Sequence, residues 1–249
     1  MSRRTFEEAV AAVDGIAGWM TPGQARQLYD AASAVRSGGQ IVEIGSFRGR
    51  STVVIASAIA PGVSLFAIDP HAGNDRGPQE IDGYAAAAAT DHEVFLANLE
   101  HAQVDDLVRH VRAFSDKAHD EVEGTLAMLY VDGAHRYAPA RADIRDWGAR
   151  VDDGGTLLIH DSFSSIGVTL AIARELLLSS RWRYVGRSRS LAVYRSDLPK
   201  SKAARVTNVG RQLAQVPWFL RNLLVKVALT VRLGPVLSAV RGRPVDWPY

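Results

Sequence analysis

Between residues 41 and 195 the chain alternates short apolar runs with segments of helical periodicity, and this alternation limits the fold more than any other feature. The runs have strand length and carry β-branched or aromatic residues, and several lack the polar alternation of a half-exposed strand. Because strands separated by helices are joined by right-handed crossovers, the pattern predicts a doubly wound, mainly parallel α/β sheet with helices on both faces. The predicted strands are 41–45, 63–69, 107–113, 126–132 and 155–161, and the predicted helices are 50–60, 90–102, 115–123, 137–150 and 166–179.

Two further strand-like runs, 182–188 and 191–196, end this series. Only Arg189 and Ser190 separate them, and a gap of two residues is typical of a β-hairpin. We therefore expect a seven-stranded sheet that ends with an antiparallel strand.

Composition excludes several classes of protein. With 47% hydrophobic residues among 249, the chain can bury a sizeable core, and disorder is excluded as its main state. The absence of cysteine excludes a disulfide scaffold, a thiolate metal site and a cysteine nucleophile. The first residues, MSRRTFEEAVAAVDG, place acidic residues where a signal peptide needs an apolar run, so a cytoplasmic location is expected. The predicted parts are an N-terminal helical cap at 1–37, with helices at 4–19 and 22–36, a ligand-binding domain at 38–197 and a basic C-terminal extension at 198–249.

The C-terminal extension differs from the rest of the chain in charge. Residues 1–195 contain 20 Lys and Arg against 25 Asp and Glu, whereas residues 196–249 contain nine against two. Its longest uncharged run, 212–220, has nine residues, and a spanning helix needs about 20, so no membrane span is predicted. Three interpretations stay open: packing on a partner subunit of a homodimer or on the body, which we favour, and peripheral contact with anionic lipid. Basic residues are too sparse beside the apolar ones to indicate nucleic acid.

Polar residues follow the predicted strands at the points where they end. Because ligands bind at the carboxyl ends of strands in open α/β sheets, these residues are the main indication of function. The strand-end residues are Glu43, Gly45, Ser46, Asp69, His71, Asp132, His135, His160 and Asp161.

The segment VEIGSFRGRST, at 42–52, places two glycines between a strand and a helix. Its G-x-x-x-G spacing departs from the G-x-G-x-x-G of dinucleotide sites, which disfavours a nicotinamide-dependent oxidoreductase. Asp69, 24 residues after Gly45, suits ribose hydroxyls, although it is also explained as a strand-end cap. A glycine turn used only for packing is the structural alternative for the loop.

With Glu43 in front, the loop resembles the E-x-G-x-x-x-G pattern of class I S-adenosylmethionine-dependent methyltransferases. The resemblance implies S-adenosylmethionine as cofactor. Ser115 would then lie near adenine, unless it serves as a helix N-cap, and His71 would meet the cofactor or the acceptor. The implied cofactor-binding residues are Glu43, Gly45, Ser46, Gly49, Ser51, Asp69, His71 and Ser115.

The segments LYVDGAHRYAPARADIRDW and DDGGTLLIHDS resemble metal-dependent sugar O-methyltransferases of the macrocin and rhamnosyl type. This resemblance covers about residues 38–195 and implies a Mg²⁺-dependent enzyme that methylates a hydroxyl of a small-molecule or oligosaccharide acceptor. A methylmannoside 1-hydroxyl is one acceptor within this class, and a catechol-type phenol is the alternative. A non-catalytic membrane-surface adaptor with the same fold is the alternative of another class.

The chemistry of methyl transfer assigns roles to the strand-end residues. Asp132 and Asp161 end neighbouring strands, where two carboxylates can share one hard divalent cation that orients hydroxyls and lowers their pKa. His160 can add a nitrogen ligand only if a turn begins there, because strand alternation sends neighbouring side chains apart. His135 suits a general base, since this chain has Ala134 where the family variant has a carboxylate. The structural alternative is that both histidines hydrogen-bond loop backbone.

Several segments receive less specific predictions. The polar loop at 73–84 is interpreted as a lid or a substrate-binding element, and the alanine run at 85–89 as a local helix start. The N-terminal helices either cover the acceptor pocket, as in this methyltransferase class, or pack on the sheet. The remaining histidines, which include His92, His101, His110 and His119, are interpreted as surface or structural residues.

Overall fold

The computed structural model describes residues 3–72 and 90–230. In this part of the chain one seven-stranded sheet has the order β3-β2-β1-β4-β5-β7-β6, and only β7 runs antiparallel to its neighbours. The predicted seven-stranded fold and its terminal hairpin are confirmed. The strands are β1 (Gln40–Ile44), β2 (Ser64–Ile68), β3 (Val108–Val111), β4 (Leu126–Val131), β5 (Val151–Ile159), β6 (Arg183–Ser188) and β7 (Leu191–Arg195).

Helices cover both faces of the sheet, as the alternation predicts. Thr21 caps the second helix with a capping box to Gln24, and Pro22 occupies its first turn, so the predicted start of this helix is confirmed. The predicted helix at 4–19 is too long, since the first helix ends at Ala11. The helices are α1 (Phe6–Ala11), α2 (Pro22–Ser33), α3 (Arg50–Ala58), α4 (Asp91–His101), α5 (Tyr137–Ala142), α6 (Ile166–Glu175), α7 (Lys202–Leu213) and α8 (Val216–Thr230).

The predicted helix at 115–123 is wrong. The structure has two short 3₁₀ turns there, because Ser115 is tied to the next helical segment. Its hydroxyl donates to Asp143 Oδ1 at 2.5 Å, and its carbonyl accepts from Trp147 Nε1 at 3.2 Å. The predicted helix at 137–150 also changes character, since a π-helical turn, Asp143–Trp147, follows α5.

The sheet is buried on both faces because neighbouring residues of each strand enter different cores. Val42 packs in the core that contains Trp147, whereas Ile41 packs in the core that contains Leu28 of α2 and Val53 of α3. The N-terminal part therefore shares a hydrophobic core with the sheet.

The C-terminal helices also pack on the body. Trp218 and Phe219 of α8 contact the core, and Asn222 Nδ2 donates to the carbonyl of Phe163 at 3.0 Å. In residues 3–72 and 90–230 no helix combines the length and the hydrophobicity needed to cross a membrane. The predictions for the loop at 73–84, the alanine run at 85–89 and the last residues, 231–249, lie outside the described residues.

Candidate active site

A cleft of about 1600 Å³ lies at the carboxyl ends of β1, β2, β4 and β5. A pocket for one small ligand usually measures about 300–1,000 Å³, so this cleft has room for two ligands side by side. Of the predicted site residues, all except Glu43 and Gly49 line it. The lining residues from this set are Gly45, Ser46, Ser51, Asp69, His71, Ser115, Asp132, His135, His160 and Asp161.

The glycine loop shapes one end of the cleft. Gly45 has φ 89°, and a Cβ there would overlap the backbone of Asp132, so glycine allows the ends of β1 and β4 to meet. Gly49 has φ 87° and precedes α3, whose first turn faces the cleft through Arg50 and Ser51. Ser46 Oγ is buried and has no hydrogen-bond partner among the described residues.

Glu43 lies behind this loop and does not line the cleft. Its carboxyl group is fully buried and accepts hydrogen bonds from the hydroxyls of Ser51 and Thr52. Burial raises the pKa of Glu43 to about 8, although these two hydrogen bonds oppose the shift. This geometry gives Glu43 a supporting role, since it ties the end of β1 to the first turn of α3.

Asp69 and His71 form the wall next to the loop. The Asp69 carboxylate accepts from the backbone nitrogens of Phe47 and His71, at 2.8 and 2.7 Å. His71 is buried, has φ 48°, and has a ring nitrogen 3.1 Å from one of His110. Burial and the nearby positive charges lower the pKa of His110 to about 4. His92 completes a cluster of three imidazoles behind the wall, with ring centroids 5.0–5.3 Å apart.

Carboxylates and imidazoles meet at the other end of the cleft. Donor atoms of Asp132, His135 and Asp161 all lie within 4.8 Å of one another. His135 Nε2 is 2.8 Å from Asp161 Oδ2, and His160 Nδ1 is 3.2 Å from Asp132 Oδ1. β5 ends at Ile159 and a turn begins at His160, with Asp161 at φ 53°. This turn brings two sequential side chains to one site, which was the condition for His160 to reach it.

Attraction between the carboxylates and the imidazoles sets the direction of the pKa shifts in this cluster. Burial alone would lower the pKa of His135, but its hydrogen bond to Asp161 and the nearby carboxylates raise it. The same balance raises the pKa of His160 well above its ordinary value. Burial would raise the pKa of Asp161, yet the two imidazoles hold it well below the usual range.

Two residues that the sequence analysis did not single out support the cluster. Tyr130 on β4 donates from its hydroxyl at 2.7 Å to Oδ2 of Asp132, which directly follows this strand. The amide nitrogen of Gln24, on α2, lies 3.3 Å from His160 Nε2 and also donates to Ser190 Oγ at 3.2 Å. Because side chains two positions apart along a strand lie on the same face, the sequence could have suggested that Tyr130 contacts Asp132. Nothing in the sequence indicates that Gln24 reaches His160.

The α1–α2 connection and α8 both border the mouth of the cleft. The α1–α2 connection contributes Trp19, which is 48% exposed and stacks on Phe47 with ring centroids 5.9 Å apart. On the opposite side, Leu223 and Lys226 of α8 line the cleft, and Lys226 Nζ donates to the carbonyl of Ser164 at 2.9 Å. The predicted packing of the N-terminal part on the sheet is therefore confirmed for α2. The connection before α2 borders the cleft, and cover of an acceptor pocket by the N-terminal helices stays a prediction.

Comparison with known proteins agrees with this architecture. Residues 42–162 match the family model described as a methyltransferase domain, a range that begins in β1 and ends just after Asp161. The chain has a Rossmann-like methyltransferase fold. Within the matched range lie the glycine loop, Asp69 and the carboxylate–imidazole cluster. An uncharacterised protein of Sinorhizobium fredii, y4gI, is 26% identical over 126 residues, which are 49% of this chain but only 13% of that protein.

Solved structures share the fold of this chain. The O-methyltransferase NovP is 16% identical, with a TM-score of 0.60 over 78% of this chain and 88% of its own. Cofactor-bound Rv0187 from MTB is 19% identical, with a TM-score of 0.54 over 76% of this chain and 88% of its own. TomG of Streptomyces achromogenes, solved with S-adenosylmethionine, is 16% identical, with a TM-score of 0.53 over 79% of this chain and 91% of its own. At these identities the likeness establishes the fold.

Proposed function

We propose that this protein is an S-adenosylmethionine-dependent, divalent-cation-dependent O-methyltransferase that acts on a sugar or glycoside hydroxyl. The observation that carries the proposal is the layout of the cleft. A glycine loop and a strand-end carboxylate occupy one end, and a carboxylate–imidazole cluster occupies the other. A methyl donor and a hydroxyl acceptor bound at these two ends would meet between them.

The loop end fits the cofactor. The start of α3 presents backbone N–H groups and a partial positive charge, which suit the carboxylate of a methionine moiety. Asp69 suits the ribose hydroxyls, and the buried, unpartnered Ser46 Oγ supplies a further polar contact. Phe114 and Ser115, after β3, line the place where the family resemblance puts adenine.

The cluster end fits a divalent cation. Asp132 and Asp161 supply two negative charges, and buried His160 Nδ1 faces both carboxylates without an aligned hydrogen-bond partner among the described residues. When bound, such an ion holds a hydroxyl in place and lowers its pKa. Asp132 and Asp161 would hold it. His160, fixed from behind by Gln24, would orient the two carboxylates or add a nitrogen ligand.

His135 is the residue we assign to proton removal. Its side chain is 41% exposed and lines the cleft beside Asp161, so an acceptor hydroxyl can reach it. When bound, S-adenosylmethionine would supply the methyl group, and its sulfur would become neutral as the C–S bond breaks. His135 would accept the hydroxyl proton as the acceptor oxygen is methylated. Asp161 then stabilises the imidazolium that forms.

The acceptor class rests on the resemblance of 129–147 and 152–162 to sugar O-methyltransferases, with a methylmannoside 1-hydroxyl as one member. Exposed Trp19 and half-buried Phe47 at the mouth offer an apolar face to a sugar ring. A phenol with neighbouring hydroxyls would use the same cation and the same aromatic face, so it is the alternative acceptor.

Two measurements test the proposal. Transfer of a labelled methyl group from S-adenosylmethionine is followed across mannosides, rhamnosides, phenols and amines, with Mg²⁺ present. We expect label on a sugar hydroxyl, whereas transfer only to phenols or amines would contradict the acceptor class. Titration calorimetry compares S-adenosylhomocysteine with NAD. Tight binding of NAD alone would overturn the cofactor assignment and with it the reaction.

A further inference from the structure

One face of α8 carries an apolar stripe that points to solvent. The residues are three or four apart, so they lie along one side of the helix. The opposite side is packed, with Asn222 and Val225 buried against the body. Within residues 3–72 and 90–230, nothing covers the stripe. It consists of Val216, Leu220, Leu224 and Val227, whose surfaces are 43, 50, 70 and 53% exposed.

Basic side chains accompany the apolar ones. Arg221 lies on the exposed side of α8, and Arg205 and Arg211 are exposed on α7 beside Val206 and Leu213, which are 73 and 51% exposed. From residue 198 to residue 245 the chain contains nine Lys and Arg and no Asp or Glu. The exposed surface of α7 and α8 is thus both apolar and cationic.

This combination limits what can cover the surface. In a two-fold contact between identical chains, each patch meets its own copy. The arginines of one α7–α8 pair would then approach those of the other, and the segment has no acidic side chain to separate them. An anionic lipid surface satisfies both features, because apolar side chains enter the acyl boundary while basic side chains meet lipid headgroups.

We propose that α7 and α8 form a docking surface for an anionic membrane. The two helices would lie in the interface, with Leu220 and Leu224 inserted and with Arg205, Arg211 and Arg221 at the level of the headgroups. This is binding on the membrane and requires no spanning segment.

Docking has a consequence for the cleft. Leu223 and Lys226, on the adjoining side of α8, line the cleft, so docking would hold its mouth beside the lipid surface. Such a placement favours an amphiphilic acceptor, for example a glycoside that carries a lipid chain. This consequence rests on the proposed function, whereas docking itself does not.

Vesicle co-sedimentation of the full-length protein tests the proposal without any measurement of activity. Phosphatidylcholine vesicles are compared with vesicles that also contain phosphatidylserine, at low and at high salt. We expect binding only to the phosphatidylserine vesicles, weakened by salt because the basic side chains contribute. The double variant Leu220→Gln/Leu224→Gln should lower the vesicle partition coefficient by about tenfold or more.

A matched variant controls for loss of any exposed leucine. Leu96 on α4 is 45% exposed at the far edge of the sheet, so Leu96→Gln should bind vesicles like the wild type. Affinity for S-adenosylhomocysteine reports whether each variant is folded. Equal binding of both lipid compositions, no binding, or binding that survives in Leu220→Gln/Leu224→Gln would each overturn the proposal. A concentration-dependent dimer that only the double variant abolishes, without vesicle binding, would identify a subunit interface instead.

Discussion

His135 Nε2 lies 2.8 Å from Asp161 Oδ2, so the proposed base and a proposed cation ligand are in direct contact. The contact allows two assignments for the imidazole: it removes the acceptor proton, or it is a third ligand of the cation. The assignments differ in what a substitution at His135 changes, because a base affects turnover and a ligand affects affinity for the ion.

Replacing His135 distinguishes the two assignments. If the imidazole is the base, His135→Ala should lower turnover by about 10²–10⁴-fold and leave the affinity for the cation nearly unchanged. The affinity for S-adenosylhomocysteine should not change, because the proposed cofactor contacts lie at the other end of the cleft. Turnover is measured as the rate of methyl transfer, and the affinities are measured by calorimetry. Near-normal turnover would leave the cation alone to activate the hydroxyl, and a large loss of cation affinity would make His135 a ligand.

Removal of the cation should stop the reaction. A chelator is expected to abolish turnover and added Mg²⁺ to restore it, because the hydroxyl then loses the ion that orients it and lowers its pKa. Asp161→Asn should lose cation binding and turnover but keep its affinity for S-adenosylhomocysteine. Asp197→Asn is the matched control, since Asp197 pairs with Arg183 at the surface, 2.7 Å away. Full activity in the presence of chelator would exclude Asp132 and Asp161 from catalysis.

Cation binding should strengthen as pH rises. The carboxylates raise the pKa values of His135 and His160, so in the cation-free protein these imidazoles keep their protons to a higher pH than an ordinary histidine does. A bound cation repels those protons, and its binding therefore releases them. Calorimetry in two buffers of different ionisation enthalpy measures the release. An affinity that is independent of pH, without proton release, would contradict the proposed site.

Substitutions of two exposed aromatic residues should affect different ligands, one the acceptor and the other the cofactor. Trp19 borders the mouth, and Phe114, 52% exposed, lies where adenine is expected. Trp19→Ala should raise the acceptor KM by about two- to tenfold, since an aromatic contact contributes about 0.5–1.5 kcal/mol. Phe114→Ala should instead weaken the binding of S-adenosylhomocysteine and leave the acceptor KM unchanged. If both variants changed the same affinity, the division of the cleft into two halves would be wrong.

The sheet and the meeting of its strand ends were predictable because they follow from general rules. Parallel strands end at one edge, so Asp69, Asp132 and Asp161 had to lie along one edge of the sheet once the strands were recognised. The approach of both His160 and Asp161 was not predictable, since it depends on φ 53° at a residue other than glycine. Nor was the contact of Gln24 with His160, which joins residues 136 positions apart through tertiary packing.

Glu43 shows where a motif misleads. The pattern that resembles a cofactor loop includes a carboxylate, but in this structure the β1 side chain points inward and bonds to Ser51 and Thr52 of α3. The error in the helix predicted at 115–123 has a comparable cause. The contacts of Ser115 with Asp143 and Trp147 replace the local hydrogen bonds of a helix. In both places a tertiary contact overrides the local pattern.

The buried carboxyl group of Glu43 should make stability depend on pH. Its pKa is raised from 4.5 to about 8 in the folded protein, so the folded state retains a proton that the unfolded state releases. Stability from this group is therefore fully present below pH 4.5 and is lost as pH rises toward 8. Glu43→Gln removes this loss, and above pH 8 the variant should gain on the order of a few kcal/mol relative to the wild type. Urea unfolding at acidic and alkaline pH measures the difference, with exposed Glu123→Gln as the control. A constant difference between wild type and Glu43→Gln across this range would show that folding leaves the pKa of Glu43 unchanged and would contradict the prediction.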